Sequence, residues 1–71
     1  GVEQSWEKAV EWYRKSAEQG NKYGQNNLGW CYEDGKGVEK NYKEAVRLYQ
    51  LSARQGNETA QNNLKRLGEK W

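Results

Sequence analysis

Histidine, methionine, isoleucine and phenylalanine are all missing from this chain of 71 residues, and cysteine occurs once. Each absence removes a class of chemistry. Without histidine there is no usual general base and no Cys–His pair for nucleophilic catalysis. One cysteine and no histidine cannot assemble a zinc site, and Cys31 has no partner for an internal disulfide. The lack of methionine means that the first residue is not an initiator, so the chain is expected to be processed, excised from something longer, or designed. No apolar run is long enough to span a bilayer or to serve as a secretory core, which predicts a soluble chain with no membrane partner. Leu and Val together supply only nine residues and the mean hydropathy is −1.39. Aliphatic content this low often accompanies disorder.

What is present argues for a fold. The formal net charge is only +2, and four Trp with five Tyr supply large apolar surface that disordered segments lack. The core is therefore expected to be aromatic and alanine-based. Charge this evenly balanced excludes a nucleic-acid or membrane-surface reading.

Sliding the chain by 36 residues superposes it on itself. Gly1, Val2 and Glu3 fall on Gly37, Val38 and Glu39, and Ala9 and Val10 fall on Ala45 and Val46. Tyr13 meets Tyr49, "SAEQGN" meets "SARQGN", and "QNNL" recurs. A period in this range marks stacked repeat architectures. The division it suggests is one unit from 1–36 and a second from 37–71, within a single region spanning 1–71.

Each unit reads as two helices. Trp6, Ala9, Val10, Tyr13 and Ala17 recur at helical spacing, as do Tyr42, Ala45, Val46, Tyr49 and Ala53. Ser5 is placed to cap the first helix; Asn21 and Asn57 are placed to cap the second of each pair. Asn41 and Glu44 have the spacing of a capping box. Gly20 and Gly56 end the first helix of each unit, and Gly35 and Gly37 mark a tight loop between units. Gly24, Leu28, Cys31 and Tyr32 form an inner face, and Leu64 and Leu67 close the last helix. The fold class is all-α: an α–α superhelix, or solenoid, of two helix-turn-helix hairpins with four helices and no strand. If the halves are equivalent, Tyr13 and Tyr49 occupy like surroundings.

The combination Leu28-Gly29, Tyr32, Gly35-Lys36-Gly37-Val38, Tyr42, Ala45 and Ala53-Arg54-Gln55-Gly56 closely resembles the Sel-one-like repeat family, a relative of the tetratricopeptide repeats. Two departures stand out: Asn41 replaces a frequent Asp, and Lys65 replaces the Gly of the second Leu-Gly pair. The resemblance implies a right-handed superhelix whose first helices line a concave groove that holds other proteins. It also makes Gly1 and Val2 the end of a preceding loop, so the chain reads as an excerpt of a longer array or as a designed pair. Two uncapped units are expected to be marginally stable or to associate end to end, since stacking normally takes about three or more.

Catalytic and ligand motifs fail on inspection. Cys31 lies on an inner face and reads as a small core residue. Glu33 and Asp34 border the glycine loop but lack the third acidic ligand of a calcium loop. Gly29 to Gly35 is one residue too long for a phosphate loop, and Gly37 stands where Ser or Thr would hold magnesium. Asn57-Glu58-Thr59 is a formal glycosylation sequon whose plainer reading is a helix cap. No catalytic residue, cofactor or metal is assigned.

What remains is surface. Glu7, Glu11, Arg14 and Glu18 share one helical stripe, and their counterparts are Lys43, Arg47, Gln50 and Arg54. Every Glu of the first stripe is a cation in the second, so an acidic wall beside a basic wall is expected if the stripe faces the groove. The bland alternative is an ionic face that fixes packing or is merely solvated. Trp30, whose equivalent is Arg66, is a candidate anchor against a partner or a packing residue. Trp12 and its equivalent Leu48 are both apolar and read as structural, and Trp71 as a residue that has lost its neighbour. The expected function is a non-catalytic interaction scaffold for a protein or peptide. The alternative is a self-assembling or designed structural module with no separate ligand. Candidate partner-binding residues are Glu7, Glu11, Glu18, Trp30, Lys43, Arg47 and Arg54.

Overall fold

The computed structural model describes residues 2–71, with side chains from Ser5 onward. The match of Gly1 to Gly37 lies outside the described residues. The apolar stripes become α1 (Val2–Glu18), α2 (Lys22–Asp34), α3 (Tyr42–Arg54) and α4 (Glu58–Leu67). They form two hairpins, α1–α2 and α3–α4, stacked through α2 and α3 into an all-α superhelix, with no strand among the described residues. No described helix is long and apolar enough to cross a membrane.

Asparagine opens three of these helices because its side-chain oxygen satisfies backbone N–H groups that have no partner within the helix. Asn21 Oδ1 accepts from Tyr23 and Gly24, Asn41 Oδ1 from Glu44, and Asn57 Oδ1 from Thr59. The capping box is only half made. Glu44 turns its carboxylate to Arg47 instead, and the Asn41 N–H donates to the Tyr32 carbonyl at 2.9 Å. Ser5 caps nothing, because α1 begins at Val2 and Ser5 lies inside it. The start of α3 is set by a loop pinned to α2 through that Asn41–Tyr32 bond.

Two apolar clusters share their edges. Val10, Leu28, Cys31 and Leu48 form one; Ala45, Tyr49, Ala53, Ala60 and Leu64 form the other. Trp30 and Tyr32 pack against both, so the seam between hairpins is itself core. Gly29 permits the close approach: a Cβ there would stand 3.0 Å from the Tyr49 ring and 3.1 Å from the Ala45 carbonyl oxygen. Burial pushes the Cys31 thiol above its ordinary value, with the charge of Asp34 adding to it, as suits an inert core residue.

Polar groups stitch the same seam. Ser52 Oγ donates to the Lys22 carbonyl at 2.6 Å, Gln55 to Gln25 at 2.7 Å, and Asn63 to Asn26 at 3.0 Å. Asn57 Nδ2 donates to Ser52 Oγ at 2.9 Å, so the buried Asn57 is committed at both ends of its amide. That arrangement supports the cap and not the sequon.

The strongest stitch is ionic. Arg66 makes a bidentate pair with Glu33 at 2.7 and 2.8 Å, and the buried Tyr49 hydroxyl donates to the same carboxylate at 2.7 Å. The Arg66 hydrogen bonds hold Glu33 below the ordinary carboxylate value, outweighing a smaller upward push from burial. A carboxylate depressed in the folded state contributes stability above its unfolded pKa of about 4.3 and loses that contribution as pH falls through the folded value. Urea midpoints measured downward from pH 6 should therefore fall through the acid range, and the Glu33→Gln chain should show a flatter profile. Parallel profiles would mean that other carboxylates carry the acid response.

The expectation of like surroundings for Tyr13 and Tyr49 is corrected. Tyr49 has 0% of its surface exposed, whereas Tyr13 is half-buried against the first cluster alone. α3 has neighbours on both flanks, α2 and α4, while α1 packs chiefly on α2. Tyr42 also leaves the predicted stripe: it is 48% exposed, and its hydroxyl is turned to the C-terminal segment.

Candidate functional site

The first helices of the two hairpins stand side by side and leave a cleft of about 170 Å³ between them. Arg14, Ala17 and Glu18 of α1 form one side; Glu44, Arg47 and Leu51 of α3 form the other. Leu28 and Leu48, both buried, make the floor. The helical period dictates this arrangement, because residues three and four apart share a face, so the rim is charged where the floor is apolar.

Charge of both signs lines each side. Arg14 reaches over the Tyr32 ring, 5.8 Å from its centre, and donates to the Tyr32 hydroxyl at 3.1 Å. Arg47 pairs with Glu44 in its own helix, which holds the Glu44 carboxylate below its usual range. An exposed pair of this kind stabilises the fold by roughly 0–1 kcal/mol, so it is available for exchange with a ligand's charges. The expected acidic wall facing a basic wall is not what the helices present.

Of the seven candidate residues, only Glu18 and Arg47 meet in this cleft. Glu7 lines a separate open depression with Trp6 and the Gly35–Glu39 loop. Glu11 lies with Lys8, Trp12 and Lys15 on the far side of α1. Lys43 borders a shallow hollow with Tyr42, Val46, Arg47, Gln50 and Glu69. Arg54 is engaged by the main-chain oxygen of Trp71. Trp30 is half-buried, packs against both clusters, and stacks at a tilt on Trp6 with ring centres 5.1 Å apart, so packing accounts for it. Trp12 reverses the structural expectation: it is 74% exposed, while its equivalent Leu48 is 3% exposed. Leu48 faces the preceding hairpin; Trp12 has none to face among the described residues.

A feature that the repeat pattern did not reveal lies on the other flank of α3. Gly68, left-handed at φ 74°, ends α4, and the Glu69 N–H closes back on the Leu64 carbonyl at 2.8 Å. The chain then runs along α3. The Tyr42 hydroxyl bonds to Glu69 at 2.9 Å, Gln50 Nε2 donates to the Lys70 carbonyl at 2.7 Å, and Arg54 Nε donates to the main-chain oxygen of Trp71 at 3.0 Å. Side chains of α3 thus hold main-chain oxygens of the segment that follows α4. The available signal was Gly68 itself, which stands where the first unit has Tyr32 and so shortens the last helix.

Among the described residues no group of three or more His, Cys, Asp or Glu side chains is placed to hold a metal ion. A family model for the Sel1 repeat matches residues 1–21 and 22–57. The second match starts with the first residue of α2 and ends on the cap of α4, so it comprises α2, the glycine loop and α3. No curated protein and no solved structure matches the chain.

Proposed function

Because the chain belongs to the Sel1 repeat family, whose helical repeats generally mediate protein interactions and are typically non-catalytic, we propose that it is a scaffold binding an extended protein segment in the α1–α3 cleft. Its repeat units in this reading are 1–36 and 37–71. The observation that carries the proposal is the composition of the cleft: an apolar floor of Leu28 and Leu48 beneath Arg14, Glu18, Glu44 and Arg47. Apolar side chains of a ligand would supply affinity on the floor, and the alternating rim charges would select register and partner. Gln50 and Arg54 support the mode, since they already grip main-chain oxygens of a non-helical segment from the same helix.

Panning a library of random linear peptides on the intact chain tests this. A selected peptide should lose at least about tenfold in affinity, roughly 1.4 kcal/mol, to Glu18→Lys or Arg47→Glu. The urea midpoint should barely move, because both side chains are exposed. Selected peptides indifferent to both substitutions would place binding outside the cleft.

A second, structural reading is end-to-end self-association. The exposure of Trp12, where the second hairpin buries Leu48, favours it.

A further inference from the structure

The seam between the hairpins has two sides, and the sequence carries each side twice. α3 contributes Ala45, Leu48, Tyr49 and Ser52 to it, followed by Gln55. Thirty-six residues earlier stand Ala9, Trp12, Tyr13, Ser16 and Gln19, on a flank of α1 from which Trp12 projects. The receiving side offers the Lys22 carbonyl, Gln25, Asn26 and Glu33. Thirty-six residues later stand Glu58, Gln61, Asn62 and Glu69. One end of the molecule therefore carries the donor half of the seam, and the other end carries the acceptor half.

The acceptor half is partly covered. Gln50 and Arg54, which hold residues 70 and 71, are the equivalents of Arg14 and Glu18, the residues with which α1 faces α3 across the cleft. The C-terminal segment thus lies on α3 where α3 lies on α1. Glu69, the equivalent of the carboxylate that receives Tyr49, is engaged by Tyr42 instead.

We propose that a second copy of this chain docks head to tail by repeating the internal seam, and that residues 69–71 compete with it for the flank of α3. The proposal rests on the self-association reading and adds its register and its competitor. In the docked pair, Trp12 of the incoming copy seats as Leu48 does. Ser16 donates to the Glu58 carbonyl, Gln19 to Gln61, and Tyr13 to Glu69. This requires the last turn of α4 to extend through Glu69, as α2 extends through Glu33. Gly68 opposes that extension, and Trp30 stands where Arg66 would complete the ion pair, so the contact between copies is weaker than the seam within one. Because the two surfaces differ, each docked copy presents a fresh end, and the product is an open string.

Sedimentation of the intact chain, a Gln50→Ala/Arg54→Ala variant and a Trp12→Glu variant tests this, with circular dichroism confirming helix in all three. The mass of the intact chain should rise with concentration without stopping at a dimer. Loosening the C-terminal segment should move that rise to about tenfold lower concentration, as expected for two lost hydrogen bonds, one of them charged. Trp12→Glu should abolish it. If the intact chain and the loosened variant both stay monomeric to on the order of 1 mM, self-association itself is wrong. If association survives Trp12→Glu, the copies meet by another surface and the register is wrong. If loosening leaves association unchanged or weakens it, the segment is no competitor.

Discussion

Tyr49→Ala should leave most molecules unfolded at 25 °C, whereas Tyr13→Ala should leave a cooperative fold. Truncating a buried aromatic costs about 3–5 kcal/mol through lost transfer energy and the cavity left behind. A single core in a chain this short rarely supplies more than about 3–5 kcal/mol in total. Tyr49 is wholly buried, belongs to the second cluster, lies against Gly29, and bonds to Glu33. Its loss therefore opens the seam and removes a donor from a carboxylate at once. Tyr13 is half-buried at the edge of the first cluster, so its truncation removes less contact and leaves no enclosed cavity. Tyr49→Phe is the intermediate case: Glu33 keeps Arg66, and the cost should be about 1.5–3 kcal/mol for one hydrogen bond to a charged group. Urea unfolding followed by helix signal measures all three. Equal losses at positions 13 and 49 would show that the seam is not the stability centre.

Gly37→Ala is the second large effect, with a built-in control. Gly37 sits at φ +73°, where a side chain costs roughly 1–2 kcal/mol. A Cβ there would also stand 2.6 Å from the Trp6 carbonyl oxygen and 2.9 Å from Val10 Cγ2. Backbone cannot swing aside as a flexible side chain can, so the α2–α3 loop must lift from α1, adding about 1–3 kcal/mol of overpacking. Gly35 has nearly the same dihedral, φ +72°, but nothing nearer than 3.5 Å to its would-be Cβ. Gly35→Ala should therefore cost only the dihedral part. A difference near zero between the two substitutions, read as urea midpoints, would show that the loop is free of α1.

The helices and their order were legible because period and caps are local properties. The stripes around Ala45 and Val46 and the asparagine-opened turns each need only a few neighbouring residues to be recognised. The candidate site was read less well. Glu18 and Arg47 do meet, but Glu44 in place of a cationic wall, the packing of Trp30 and the exposure of Trp12 all depend on which helix lies beside which. Arg54 illustrates the difference: its place on the outward stripe followed from helical spacing, yet its occupancy by Trp71 came from a chain reversal at Gly68 that no stripe encodes.

By itself, the order of residues determined that this chain forms four helices in two similar hairpins, because hydrogen bonding and side-chain periodicity repeat along the backbone every few residues. Only the packed molecule decided what each copy of a repeated residue experiences. Identical tyrosines differ in burial, and equivalent Trp12 and Leu48 point to solvent and to core, because a stack has an inside and two ends while a repeating sequence does not.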